Sequence, residues 1–351
     1  MASRYLFFGF FMLFIVFMMA LDLGVFHKKD HVIKMREAGL WTAVWIALSL
    51  LMALLIRLHA EWIHGISSPE ELLAAVAGTD LQAAVQAAAS HAEALNIYRR
   101  EMATQYLAGY FLEESLSIDN IFVMIMIFVS FGIDKKYYHR VLFWGILGAV
   151  VLRFVFIFAL GALVERFSWI LALFGVVLIF SGLKMFKKKS DEPIDTSQHP
   201  VVRFASRYLR ATSQMDGHNF FTRIDGHRYM TPLFLVLLVI EFSDIIFAVD
   251  SIPAVFSVTT DTFIVYFSNI FAIMGLRSLF FLLSDITDRF WLLSYGLGVL
   301  LCFIGAKMLL HEFVGLNIGT TTSLLVILGI LAASILLSLA IPAQNKPKPT
   351  A

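Results

Sequence analysis

The stretch IEFSDIIFAVDSIPAVF, residues 240–256, decides how the whole chain is read. It is apolar enough for a buried helix, yet it holds Glu241, Asp244 and Asp250. A carboxylate at the centre of a bilayer costs roughly 2.5 to 3.5 kcal/mol on insertion scales. Three in one span need compensation from elsewhere in the sequence.

The composition places that stretch in a membrane. Of 351 residues, 59% are hydrophobic and 15% charged, and the mean hydropathy is +0.81, far outside the soluble range. A net charge of +1 gives no footprint for nucleic acid, and no glycine loop of the Walker or dinucleotide type occurs. Cys302 is the single cysteine, so the chain can form neither an internal disulfide nor a thiolate cluster for a soft metal. The first apolar run is long, and Asp22 follows Ala20 where a cleavage site would need small residues, so it reads as a retained span.

Runs long enough to cross about 30 Å of hydrocarbon fall near residues 5–26, 39–60, 104–130, 139–163, 167–186, 232–257, 262–283, 289–311 and 319–342. The expected fold is therefore an all-α polytopic membrane protein of about nine transmembrane helices. Three loops carry the Lys and Arg excess: Lys28, Lys29, Lys34 and Arg36; Lys135, Lys136 and Arg140; and Lys187 to Lys189. Set on the cytoplasmic side, they put the N-terminus outside and the tail, with Lys346 and Lys348, inside, in a bacterial inner membrane. Residues 1–66 form two spans and 67–103 an outer helical segment, opened by Ser68-Pro69-Glu70-Glu71 as a capped helix start. Residues 187–231 form a cytoplasmic loop in which Asp225-Gly226 signals a two-residue hairpin. Residues 312–351 supply the last span and tail.

The remaining segments repeat. ERFSWILALFGVVLIFSGLKMF from Glu165 and DRFWLLSYGLGVLLCFIGAKML from Asp288 are identical at nine of twenty-two positions without a gap. Nearly the same offset pairs Arg153 with Arg277, and a slightly larger one pairs Glu113 with Asp244, Asp119 with Asp250 and Asn120 with Ser251. Each copy, 104–186 and 232–311, spans three helices, so the second enters the membrane inverted. Inverted repeats of this kind build transporters, with the site near the midplane where the copies meet.

At 100° per residue, Glu113, Ser117 and Asn120 share a face, and Glu241, Asp244 and Ser251 share another to within about 80°. Asp119 and Asp250 point about 120° away from Glu113 and Asp244. Either a kink at Pro253 brings all the acids together, or they form two clusters on opposite sides of the helices. The donors are oxygens, which suit Mg²⁺, Ca²⁺ and Mn²⁺. Arg153 and Arg277 read as charge-balancing residues, too few for all the acids. Asp22 is either a site residue or an anchor at the inner boundary, and Lys184 and Lys307 read as interfacial anchors. His59, Glu61 and His64 beside Trp62 read as an interfacial belt. No buried histidine is expected to serve Ser251 as a base, so the chain is not read as an enzyme.

ALDLG at 20–24, YLAGYFLEESLSIDNIF at 106–122, FFTRIDGHRYMTPLFLVL at 220–237 and residues 240–256 together resemble the TerC family of integral membrane proteins. The resemblance runs from the first helix to about residue 311. It departs in the long outer segment 67–101 and in EES at 113–115, where the family pattern has a lysine at the middle position. It implies export of Mn²⁺, with Ca²⁺ as second candidate, and makes Asp22, Glu113, Asp119, Glu241, Asp244 and Asp250 candidate metal ligands beside Asn120 and Ser251. The expected function is divalent-cation export in exchange for protons; the rival is a membrane hub with a structural metal site that recruits soluble partners through 187–231.

Overall fold

The computed structural model describes residues 2–26, 35–167, 169–187, 210–212, 214–284 and 292–341, with only the backbone path given for 2–6, 20–26 and 187. Among them the chain is a helical bundle with one small hairpin. The order is α1 (Ala2–Phe26), α2 (Met35–His59), α3 (Glu61–His64), α4 (Pro69–Ala75), α5 (Gln82–Gln86), α6 (His91–Ser130), α7 (Lys135–Arg166) and α8 (Ile170–Lys187). Then come β1 (Phe221–Ile224), β2 (His227–Met230), α9 (Pro232–Phe256), α10 (Thr262–Ser284), α11 (Leu293–Val314) and α12 (Thr320–Ala340).

Six of these helices, α2, α7, α9, α10, α11 and α12, are long and apolar enough to cross a membrane. The apolar parts of α1 and α8, Phe7–Met19 and Ile170–Phe186, are shorter. Helix α6 differs from the span expected at 104–130. Its 40 residues start at His91, where Ser90 accepts a hydrogen bond from the Glu93 N–H, and they cover about 60 Å. The alanine-rich end of the outer segment is thus the first part of the helix that carries Glu113, and its polar side chains reach back to α2 and α3: Arg57 donates to Asn96 at 2.7 Å, and Arg99 pairs with Glu61. The expected cap at Ser68 is present, accepting from the Glu71 N–H at 3.2 Å.

Helix α10 is the axis of the bundle, buried along nearly its whole length against α1, α2, α6 and α7. Aromatic rings fill this core around the N-terminal half of α10, with Phe11 and Phe267 centred 4.3 Å apart. Helices α8 and α11 cross antiparallel through two glycine pairs. A Cβ at Gly182 would stand 2.6 Å from the Gly298 carbonyl, and one at Gly175 would stand 3.0 Å from the Gly305 carbonyl, so backbone meets backbone at both crossings. The Asp225-Gly226 turn joins β1 to β2 as expected, with Ile224 opposite His227. Asp22, on α1, has a side chain outside the described residues, as do Lys28, Lys29, Lys34, Lys188, Lys189, Lys346 and Lys348.

Candidate functional site: a buried carboxylate centre

Helices α6 and α9 pass each other at mid-length, and α7 and α10 close the gap between them. Six side chains meet there. Arg153 of α7 donates through Nη1 to Glu113 Oε1 and to Asn269 Oδ1, the latter at 2.7 Å, and through Nη2 to Asp244 Oδ1 at 3.5 Å. Asn120 Nδ2 donates to the same Asp244 oxygen at 3.1 Å. Ser251 lies beside Glu113. Glu113, Arg153, Asn120 and Ser251 are 1–2% exposed, and Asp244 is 3% exposed. Charges this dry are tolerated only when paired, and one guanidinium faces two carboxylates.

The bonding is incomplete. Glu113 Oε2, Asp244 Oδ2, Asn120 Oδ1, Ser117 Oγ and Ser251 Oγ are all buried without a hydrogen-bond partner. Buried polar atoms are paired in the great majority of cases, so these five oxygens on facing helices keep lone pairs free, and Arg153 Nε in the same centre is also without a partner. Among the described residues no three of His, Cys, Asp and Glu converge on one point; the donors here are two carboxylates with amide and hydroxyl oxygens.

Asp250 and Asp119 are elsewhere. Helix α9 runs through Pro253 to Phe256, and Asp250 turns to α8, where Ser181 Oγ donates to its Oδ1 at 2.9 Å. Lys184 and Asp119 are its charged neighbours, and both acids are only half-buried. Of the two arrangements open to the sequence, the acids take the divided one. Glu241 is next to Asp244 in field and leans on α7 at Gly148, where a Cβ would collide with its carboxylate. Arg277 is buried in the C-terminal half of α10, its Nη1 3.2 Å from His139 Nε2.

Sequence reasoning passed over Asn269, which is fully buried and accepts from Arg153 Nη1. The available signal was a lone amide in the apolar run SNIFAIMG, two turns before Arg277. It also passed over Ser181. Lys307, expected as an interfacial anchor, donates through Nζ to Ser323 at 2.9 Å. This lysine lines a cavity of about 1050 Å³ at the end of the bundle where α10 and α12 begin, with Asp80, Glu101 and Asp261. The His59–His64 segment stacks His59 on Trp62 at 4.0 Å, while His64 bridges Tyr98 at 2.6 Å and Asp261 at 2.9 Å.

Comparison with known proteins agrees with this architecture. The model of the integral membrane protein TerC family matches residues 98–346. An uncharacterized membrane protein of Myxococcus xanthus is 42% identical over 94% of this chain and 90% of its own length. Alx of Escherichia coli K12, whose name proposes a membrane-bound redox modulator, is 40% identical over 94% of this chain and 93% of its own. The chloroplastic thylakoid membrane protein TERC of Arabidopsis thaliana is 46% identical over 68% of this chain and 61% of its own. No solved structure matches. With a matched model covering most of the chain and relatives of this identity along nearly its full length, the chain belongs to the TerC family of integral membrane proteins.

Proposed function

We propose that this protein is a secondary transporter that exports divalent cations, Mn²⁺ first and Ca²⁺ second, in exchange for protons. The observation that carries the reading is the set of unmet oxygens on Glu113, Asp244, Asn120, Ser117 and Ser251 around Arg153. Carboxylate, amide and hydroxyl oxygens are the ligands of hard divalent ions. With two carboxylates and one arginine, the centre is one positive charge short of neutral. A proton or a metal ion can supply it, and metal binding requires the carboxylates free of protons, which couples the two.

The pairing of the two copies supports alternating access. Under the offset that matches Glu113 to Asp244, the Asn120–Asp244 contact maps onto Ser251–Glu113, and Asp119–Asp250 maps onto itself. Under the offset of the other helices, Gly175–Gly305 maps onto Gly298–Gly182. Two segments meeting about a local two-fold axis through a buried polar centre is the arrangement of inverted-repeat transporters. Nine spans with the N-terminus outside follow from that reading. Asp119 and Asp250, held near Ser181 and Lys184, are assigned to the path between the centre and water, and Asp22 to the same ion path. The redox role in the name of Alx has no direct chemistry in one cysteine, since a dithiol cycle within the chain needs two; a change in metal content is the indirect route.

The test is Mn²⁺ flux by the purified protein in liposomes that carry a pH-sensitive dye, with the membrane potential clamped. Mn²⁺ movement with proton counter-movement is expected. Mn²⁺ movement indifferent to an imposed proton gradient would leave a uniporter, and no movement of any divalent ion would favour the hub. Orientation is tested separately, with His227→Cys and Ala77→Cys in a Cys302→Ala background. An impermeant thiol reagent added outside should label only the second.

A further inference from the structure

The hairpin beside α9 carries an arrangement that transport does not explain. Asp225 and Gly226 take φ of 49° and 77°, the left-handed pair that a two-residue hairpin turn requires. That turn fixes the register, and the register sets Arg223 directly opposite Arg228. Opposed residues of an antiparallel pair share a face with their Cβ atoms about 5 Å apart, and like charges so placed are destabilising. Both arginines are exposed, and among the described residues neither is in an ion pair. A pair of facing guanidinium groups is a fork for an anion, which removes the repulsion by sitting between them.

The surroundings fix where that fork sits against the bundle. Arg228 lies over the Phe221 ring at 4.1 Å, and Phe221 packs on Phe234 in the first turn of α9 at 4.5 Å. Only Thr231 separates β2 from α9, so the arginines are held at the membrane end of an apolar helix. On the neighbouring ring, Phe220, rests the guanidinium of Arg140 from α7 at 5.2 Å, whose Nε is buried with no hydrogen-bond partner. One turn further along α7, Trp144 is 45% exposed and meets Phe220 edge-on, as a tryptophan at a membrane boundary does.

We propose that Arg223 and Arg228 bind the phosphate headgroup of an anionic phospholipid, its chains lying along the Phe221 and Phe234 side of the bundle. The site is independent of which ion, if any, the centre carries. Basic residues at a membrane surface attract anionic lipid through charge, and here the hairpin register holds two of them in a fixed fork.

The experiment uses the full chain in a neutral detergent and follows thermal unfolding while lipid is added. Phosphatidylglycerol should raise Tm by several degrees, phosphatidylcholine should not, and the gain should shrink in high salt. Arg223→Gln combined with Arg228→Gln should lose most of the gain. A second variant guards against a fold defect: Arg223→Thr, which removes the facing charge, should be at least as stable as the parent without lipid and less stabilised than the parent with phosphatidylglycerol. Retention of the full lipid shift in both variants overturns the proposal. So does an equal shift with inorganic phosphate, which would mark a free-anion site, or a shift with an acidic peptide and none with phosphatidylglycerol, which would mark a protein partner.

Discussion

The centre around Arg153 and the pair Asp119–Asp250 are built from the same two helices, a third of a turn apart, and they differ in almost every physical respect. Glu113 and Asp244 are sealed from water, share one arginine and keep an unmet oxygen each. Asp250 is half-buried, accepts from a serine and has a lysine and a second aspartate for neighbours. A dry pair of carboxylates is held by whatever cation is present and so responds strongly to a change of cation. A half-wet pair is screened and exchanges its charge with water more readily. Under the proposed transport reading, the first is assigned to selecting an ion and the second to passing one on.

Removing the cation from the dry centre should have the largest effect. Arg153→Met leaves Glu113 and Asp244 with no fixed positive charge, and loss of one partner of a buried pair costs about 3–5 kcal/mol. A large fall in Tm in metal-free detergent is expected, partly recovered when Mn²⁺ is added. An unchanged Tm would mean that the two acids are not held as charges by Arg153.

Next come the two carboxylates themselves. Asp244→Asn and Glu113→Gln should lower Mn²⁺ flux in liposomes by about 100-fold or more, with the protein still folded, because each removes a charge from a centre that has only two. Near-normal flux in either would move the selective site elsewhere.

Asp119→Asn and Asp250→Asn should act less severely. Flux should fall about 10-fold while equilibrium Mn²⁺ binding, read by calorimetry, stays close to that of the parent. Loss of binding in these variants would merge the two clusters into one site and erase the contrast drawn between them.

The smallest effect belongs to acids outside the membrane. Burial alone would raise the Asp261 carboxyl, but the His64 imidazole and the N–H groups of Ile264 and Phe263 outweigh it and hold the group below the usual carboxylate range. Glu61 is treated likewise, burial being outweighed by Arg99. A carboxyl depressed in the folded state contributes stability that is present above its unfolded value and lost as pH falls through its folded value. Tm should therefore drop on acidification below about pH 4. Asp261→Asn should flatten part of that limb while keeping the cap on α10, since an amide oxygen can accept from Phe263 N as Asp261 Oδ1 does at 3.0 Å. An identical acid limb in the variant would show that this contact carries no linkage.

Some of the centre was legible before any coordinates. The face shared by Glu113, Ser117 and Asn120 follows from a 100° step, and so does the separation of Asp119 from it. The glycine-paired copies could be aligned by eye at Arg, Gly and Lys. Asn269 could not be assigned, because an amide in an apolar span looks the same whether it supports an arginine or its own backbone, and Asn269 does both. The start of α6 at His91 was also hidden, since Ala-rich sequence suits a surface helix and a membrane helix equally well.

What the sequence determined by itself is the membrane class, the helical content, the hairpin turn and the presence of buried acids in matched places, all of which depend on composition and on spacing along one element. Which acid meets which was decided by the tertiary structure. Helical periodicity gives the angle of a side chain about its own axis and says nothing of the rotation of the next helix. Asp250 reaches Ser181 and Asp244 reaches Arg153 only because α8 and α7 pack on different sides of α9.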